Sequence, residues 1–286
     1  MERIRYSISG GLTKREIERI ENDVFELMES VGITVDNAEV AAELARRKGI
    51  TVEGETVHYS ADVVHEFIEW VKADNADYML NIPGRESPLV RPPFLCLRVW
   101  DIQKNSAREA TCADLARAAR LLDTWDAEGV PPLHPQDVDA KLRQVAAAKI
   151  CYENSRGIGS YMQADNVREA ELLCALGKAA GRKGPHCVLQ IPHSPMRLDS
   201  HSLGLVLEMA RSGNTPDGVA VGGGAMPLAG AVAPLLPPGF LAQGFAEALS
   251  AYGTAKLLND RIRGYCSVFP GTFDMRHSNF TMATPE

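Results

Sequence analysis

The chain has 286 residues, 45% hydrophobic and 23% charged, which is enough apolar material for one large domain or two smaller ones. A net charge of −7 argues against nucleic acid as the main partner, because phosphate binding needs concentrated Lys and Arg. No stretch reaches the roughly 20 apolar residues of a membrane span. The opening MERIRYSISGG lacks the apolar segment of a secretory leader, so the expected location is cytoplasmic, where the six scattered cysteines, none in a CxxC pair, stay reduced.

Residues 12–31 carry Ile17, Ile20, Val24, Leu27, Met28 and Val31 at helical spacing behind a capping box, Thr13 to Glu16, and Gly32 ends the helix. Residues 33–35 are extended. Asp36 or Asn37 caps a second helix to about residue 48, stopped by Gly49, and residues 51–59 alternate around Gly54 as a small hairpin. Ser60 caps a third helix over 61–73, with Val63, Val64, Phe67, Ile68 and Val71 inward. Residues 1–76 thus read as a helical N-terminal region, for which packing accounts for nearly every choice.

Pro83, Pro88, Pro92 and Pro93 exclude long helices from the next stretch, and residues 94–100 suit a strand. Thr111 and Asp114 open a helix over 112–122, and residues 136–151 form another. From there the predicted strands 157–162, 187–191, 217–221 and 263–269 alternate with helices 166–181, 200–212 and 241–259. That order implies α/β architecture with a parallel sheet and right-handed crossovers. In such folds the chemistry sits in the loops after the C-terminal ends of the strands.

No phosphate-loop, dinucleotide, zinc-protease or nucleophile-elbow motif stands in a usable context. The triplet Gly222, Gly223, Gly224 follows a strand, and marks a place where the backbone approaches a ligand or another strand closely. His186, His193 and His201 lack a metal-ligand spacing; His193, just past a strand, is a candidate cleft residue. After the last strand, Asp274 and Arg276 stand two apart, either a loop ion pair or a polar anchor in the cleft, with Tyr265, Phe269 and Phe273 nearby. An aromatic wall with one carboxylate suits a quaternary ammonium, which has no N–H to donate.

Several stretches carry a resemblance. LTKREIERIENDVFELMESVGITVDN, HYSADVVHEFI, AREATCADLARAARLLD, AMPLAGAVAPLLPPGFLAQGFAEALSAY and DMRHSNFTMATPE, in that order, resemble the corrinoid-dependent trimethylamine methyltransferase family. The resemblance implies a TIM-like (β/α) barrel over residues 77–286, incomplete at the C-terminus, behind the helical N-terminal layer. It implies transfer of a methyl group from a methylamine or quaternary amine, such as a betaine, to the Co(I) of a separate corrinoid protein. The chain itself would then bind no cofactor, because the cobalamin is carried by the partner. Asp274 and Arg276 take catalytic roles in this reading; His193, Tyr265, Phe269, Phe273 and Glu286 take substrate-binding ones. A barrel short of strands is expected either to be part of a longer product or to associate with itself or another chain. A binding or assembly protein without turnover is the alternative.

Overall fold

The structure is a computed structural model that describes residues 12–76, 92 and 96–281. Thr13 closes the expected capping box: its Oγ1 accepts from the Glu16 backbone at 3.3 Å, and Glu16 Oε2 accepts from the Thr13 N–H at 2.7 Å. Helix α1 (Lys14–Glu26) buries Ile20 and Val24, and one π-helical turn (Leu27–Val31) buries Met28 before Gly32 ends it at φ 74°. Ile17 and Val31, expected on the buried face, are 53% and 55% exposed. The buried stripe begins only at Ile20, and the wider π turn rotates Val31 away from it.

Strand β1 (Ile33–Val35) leads into α2 (Ala38–Leu44), where Asn37 Oδ1 accepts from the N–H groups of Glu39 and Val40. The hairpin of β2 (Ile50–Glu53) and β3 (Thr56–Tyr59) follows, then α3 (Ala61–Asp74), which buries Val63, Val64 and Phe67. Of the strand expected over 94–100, residues 94 and 95 lie outside the described residues. Its end forms β4 (Arg98–Asp101), paired antiparallel with β5 (Ser106–Glu109). The second capping box opens α4 (Cys112–Asp123) at Thr111, with Asp114 as its acid. The helix expected from residue 136 starts later, as a 3₁₀ turn (Ala140–Leu142) capped by Asp139 and continued by α5 (Arg143–Asn154). Asn166 caps α6 (Val167–Ala179).

The rest alternates as anticipated: β6 (Cys187–Gln190), the short β7 (Pro192–His193) and β8 (Arg197–Leu198), α7 (Ser200–Ser212), β9 (Val219–Ala225), β10 (Leu228–Ala229), α8 (Pro237–Leu258), β11 (Arg263–Val268), β12 (Gly271–Asp274) and β13 (Asn279–Thr281). Strands β6, β9 and β11 form a parallel sheet in the order β11-β9-β6. Single parallel bridges, Met162 to Cys187, Gly129 to Ile158 and Cys96 to Leu133, carry the wall further. The strand expected over 157–162 is reduced to two of these bridges, because positive φ at Gly159 (115°) and Tyr161 (61°) breaks the pleat. The described residues form mixed α/β structure with an open parallel wall and no closed barrel.

Two further sheets frame that wall. β1 pairs with β3 on one edge and in parallel with β8 on the other, giving the five-stranded order β2-β3-β1-β8-β7. Beyond Pro227 and Pro270, β9 and β11 resume contact as β10 and β12, with β13 outside them. Helix α8 lies between the wall and the N-terminal helices, touching β9 and β11 on one side and α1 and α3 on the other. It starts earlier than residue 241, because Pro237 and Pro238 fit a first helical turn whose N–H groups have no intrahelical acceptor. Its polar residues Gln243, Glu247, Ser250 and Thr254 are all buried. All six cysteines are free thiols.

Candidate active site

Alternation along the strands sorts the wall into two faces. On the face toward α8, a Cβ at Gly223 would fall 2.9 Å from the Ala248 carbonyl oxygen, and Cys266 Sγ lies 3.4 Å from that same oxygen. Glycine at 223 therefore lets the helix backbone approach the strand. The expected strand end at Val221 is corrected here: β9 runs on to Ala225, and the three glycines are strand residues rather than a turn. The close approach anticipated for them is made to α8 and to a side chain of the neighbouring strand.

That side chain is Gln190, last residue of β6, on the opposite face. Its Nε2 donates to the Gly224 carbonyl at 2.9 Å, and its amide fills the space that side chains at 222 and 224 would take. The Tyr265 hydroxyl and the Phe269 ring edge also come against Gly222 and Gly224. Tyr161, from the neighbouring segment, meets Tyr265 edge-on, with ring centroids 6.3 Å apart and planes at 83°. Ser267, between Tyr265 and Phe269 in the alternation, has a buried Oγ with no hydrogen-bond partner. Gln190, Tyr161, Tyr265 and Phe269 thus line a partly exposed aromatic and amide surface on the side of the wall opposite α8.

The other anticipated residues stand elsewhere. Phe273 and Asp274 belong to β12, in the rim sheet just beyond β11. Asp274 accepts from the Arg276 backbone N–H at 2.8 Å and lies 2.5 Å from His277 Nδ1. These contacts, the imidazole first, hold its carboxyl below the usual range. Its side-chain partner is thus His277, while Arg276 contributes its backbone N–H. His193 is exposed on β7, opposite Arg197 in the β7–β8 pair. Glu286 lies outside the described residues.

Two residues that the sequence reading passed over hold the loops of this rim. Glu247 is fully buried on α8; its carboxylate accepts from Ser194 Oγ at 2.6 Å, from the Met196 N–H at 2.9 Å and from Gln243 Nε2 at 2.8 Å. Gln243 Nε2 also donates to the Val232 carbonyl at 2.9 Å. Burial pushes the Glu247 carboxyl above its ordinary pKa, against the opposing effect of the three donors. The signal was present as a lone acid within FAEALSAY, an otherwise uncharged run.

Surface clefts of about 630 and 790 Å³ lie away from this surface. The first, lined by Arg47, Lys256 and Arg261 among others, sits at the opposite end of the strands. Three of its cations are engaged structurally: Arg47 and Arg261 donate to the Leu257 and Gly213 carbonyls, both at 2.9 Å, at the ends of α8 and α7, and Lys256 pairs with Asp74. In parallel α/β folds the chemistry belongs to the C-terminal strand ends, so the aromatic surface is the better candidate than either cleft. The described residues hold no group of three or more His, Cys, Asp or Glu able to ligate a metal ion, and no helix among them is long and apolar enough to cross a membrane.

A search of curated proteins finds no significant match. The family described as trimethylamine methyltransferase (MTTB) matches residues 5–286. That match takes in the wall, the rim loops and the N-terminal helices alike, and the chain belongs to the trimethylamine methyltransferase family.

Proposed function

We propose that this protein transfers a methyl group from a methylamine or quaternary amine, a betaine among the candidates, to the Co(I) of a corrinoid carried by a separate protein. The family match over residues 5–286 is the observation that carries the reading. The aromatic surface at the strand ends supports it, most directly for a quaternary amine, which has no N–H and is held by ring faces and by charge rather than by hydrogen bonds. In the same reading the open parallel wall is an arc of a TIM-like barrel.

The reaction is a displacement at carbon. The N–CH₃ bond breaks, its electron pair leaves with the amine, and the methyl group passes to the metal acceptor. Amines leave poorly, so orientation of the methyl group toward the acceptor is what the protein can supply. Tyr161, Tyr265 and Phe269 hold the cation in this scheme, and the Gln190 amide limits the depth to which it enters. Phe273, Asp274, Arg276 and His193 belong to the rim over which the corrinoid protein docks.

The test mixes the protein with a Co(I) corrinoid protein and a panel of methylamines and betaines, following the Co(I) absorption. Loss of that absorption with one amine and not the others supports the reading and names the donor. Calorimetric binding of an amine with no methyl transfer would leave a binding protein of the same family, and no response of either kind would overturn the proposal.

A further inference from the structure

Glu247 has no part in the scheme above, yet its setting is unusual. It is a fully buried carboxylate in the buried middle of a long helix, and its three hydrogen-bond partners are neutral donors rather than cations. Two of those donors, Ser194 Oγ and the Met196 N–H, belong to the loop that follows β6 and carries His193. The third, Gln243 Nε2, reaches on to the Val232 carbonyl in the loop that follows β9 and β10. One side chain of α8 therefore ties together two loops at the C-terminal end of the wall. Each tie is satisfied only while the other groups stay in place, because a buried donor left without an acceptor is unfavourable.

We infer that Glu247 is a positioning residue: through Ser194 and Met196 on one side and Gln243 on the other, it sets the placement of the two rim loops, residues 191–199 and 226–236, that flank the substrate surface. The spacing fits the role. Glu247 and Gln243 lie one helical turn apart on the same face of α8, so a rigid helix fixes the distance between the two anchor points. The consequence for catalysis rests on the proposed methyl transfer; the coupling of the loops does not.

The test is amide hydrogen exchange on the whole protein, with Glu247→Leu, Glu247→Gln and Gln243→Leu compared with the parent chain. Glu247→Leu removes every acceptor and should speed exchange at least tenfold in both loops, with the amides of α1 and α3 unchanged. Glu247→Gln keeps an acceptor for the Met196 and Gln243 donors and offers an amide to Ser194, so it should restore parent rates. Gln243→Leu should loosen 226–236 alone. Exchange that rises evenly across the fold, or in neither loop, overturns the inference. Should Glu247→Leu fail to fold, Ser194→Ala and Gln243→Leu read the two arms separately, and unchanged loop exchange in both overturns it equally. Where methyl transfer is detectable in the parent, Glu247→Leu should raise KM at least fivefold and Glu247→Gln should recover it. An unchanged KM with loosened loops overturns the positioning role, whereas a parent chain without transfer contradicts the proposed function and leaves the loop measurement standing.

Discussion

Phe67 of α3 occupies the space that a side chain at Gly253 of α8 would need: a Cβ built there would collide with its ring. Tyr59 stands edge-on to the same ring at 5.5 Å and Trp70 lies 5.7 Å away, so Phe67 has little room to retreat. Gly253→Ala should therefore destabilise the fold. The better helix propensity of Ala contributes about 1 kcal/mol, but overpacking of a filled core amounts to about 1–3 kcal/mol. A net loss of about 1 kcal/mol is expected in urea unfolding, and a stabilised variant would show that α3 and α8 are less closely packed than described.

Asp114 should carry much of the acid sensitivity of the N-terminal half. It is buried and accepts from Arg108 at 2.8 Å, from Arg117 and from the Thr111 hydroxyl at 2.7 Å. The Arg108 guanidinium foremost, then the Thr111 groups and Arg117, hold its carboxyl well below the usual range, against burial. The stabilisation is thus present above the unfolded pKa of about 4 and is lost as pH falls below it. Asp114→Asn should lose about 1–3 kcal/mol at pH 7 and flatten the acid limb of the stability curve. Equal losses at pH 7 and pH 3 would contradict this account.

Glu247 should have the opposite sign. Its folded pKa lies above the unfolded value, so the fold favours the protonated form. No penalty exists well below the unfolded pKa of about 4.3; the penalty grows as pH rises toward the folded pKa and levels off above it. The stability of Glu247→Gln relative to the parent should therefore increase from pH 4 to pH 8. A pH-independent difference in urea midpoints would show that the carboxylate is fully compensated by its three donors.

The aromatic surface makes a prediction about binding. Tyr265→Leu and Phe269→Leu should each weaken binding of the amine donor by about 3–30-fold, the range expected for loss of one cation–π contact. Tyr265→Phe, which keeps the ring, should bind within about twofold of the parent. Calorimetry with the donor identified by methyl transfer checks this, and equal losses in Leu and Phe variants would assign the effect to the hydroxyl.

Elements governed by neighbours in sequence were legible without the structure. The caps at Thr13 and Thr111, and Asn37 as one of two candidates, follow from side chains within three residues of the groups they satisfy, and the alternation of strands and helices after residue 186 follows from periodicity. What escaped depends on contacts made across the chain. Glycine reads as a breaker, so the passage of β9 through Gly222, Gly223 and Gly224 was invisible without α8 and Gln190 beside it. The left-handed backbone at Tyr161 breaks an apparent strand and turns the ring toward Tyr265, which no local pattern announces. Tyr265 and Phe269 were named from the sequence and do converge, while Asp274 and His193 sit on separate rim segments that the sequence could not separate from them.

The pairing of β1 with β8 also has a temporal side. Thr34 faces Arg197, and Asn37 Nδ2 donates to the Ser200 carbonyl at 3.1 Å, across 163 residues. During synthesis at about 5–20 residues per second, the first helices leave the ribosome roughly 10–30 s before the strand that completes their sheet. Over that interval the edge of β1 has no native cover. The nascent chain should then be most prone to chaperone capture before residue 200 emerges, and slow codons placed between residues 40 and 190 should lower the folded yield without altering the finished protein.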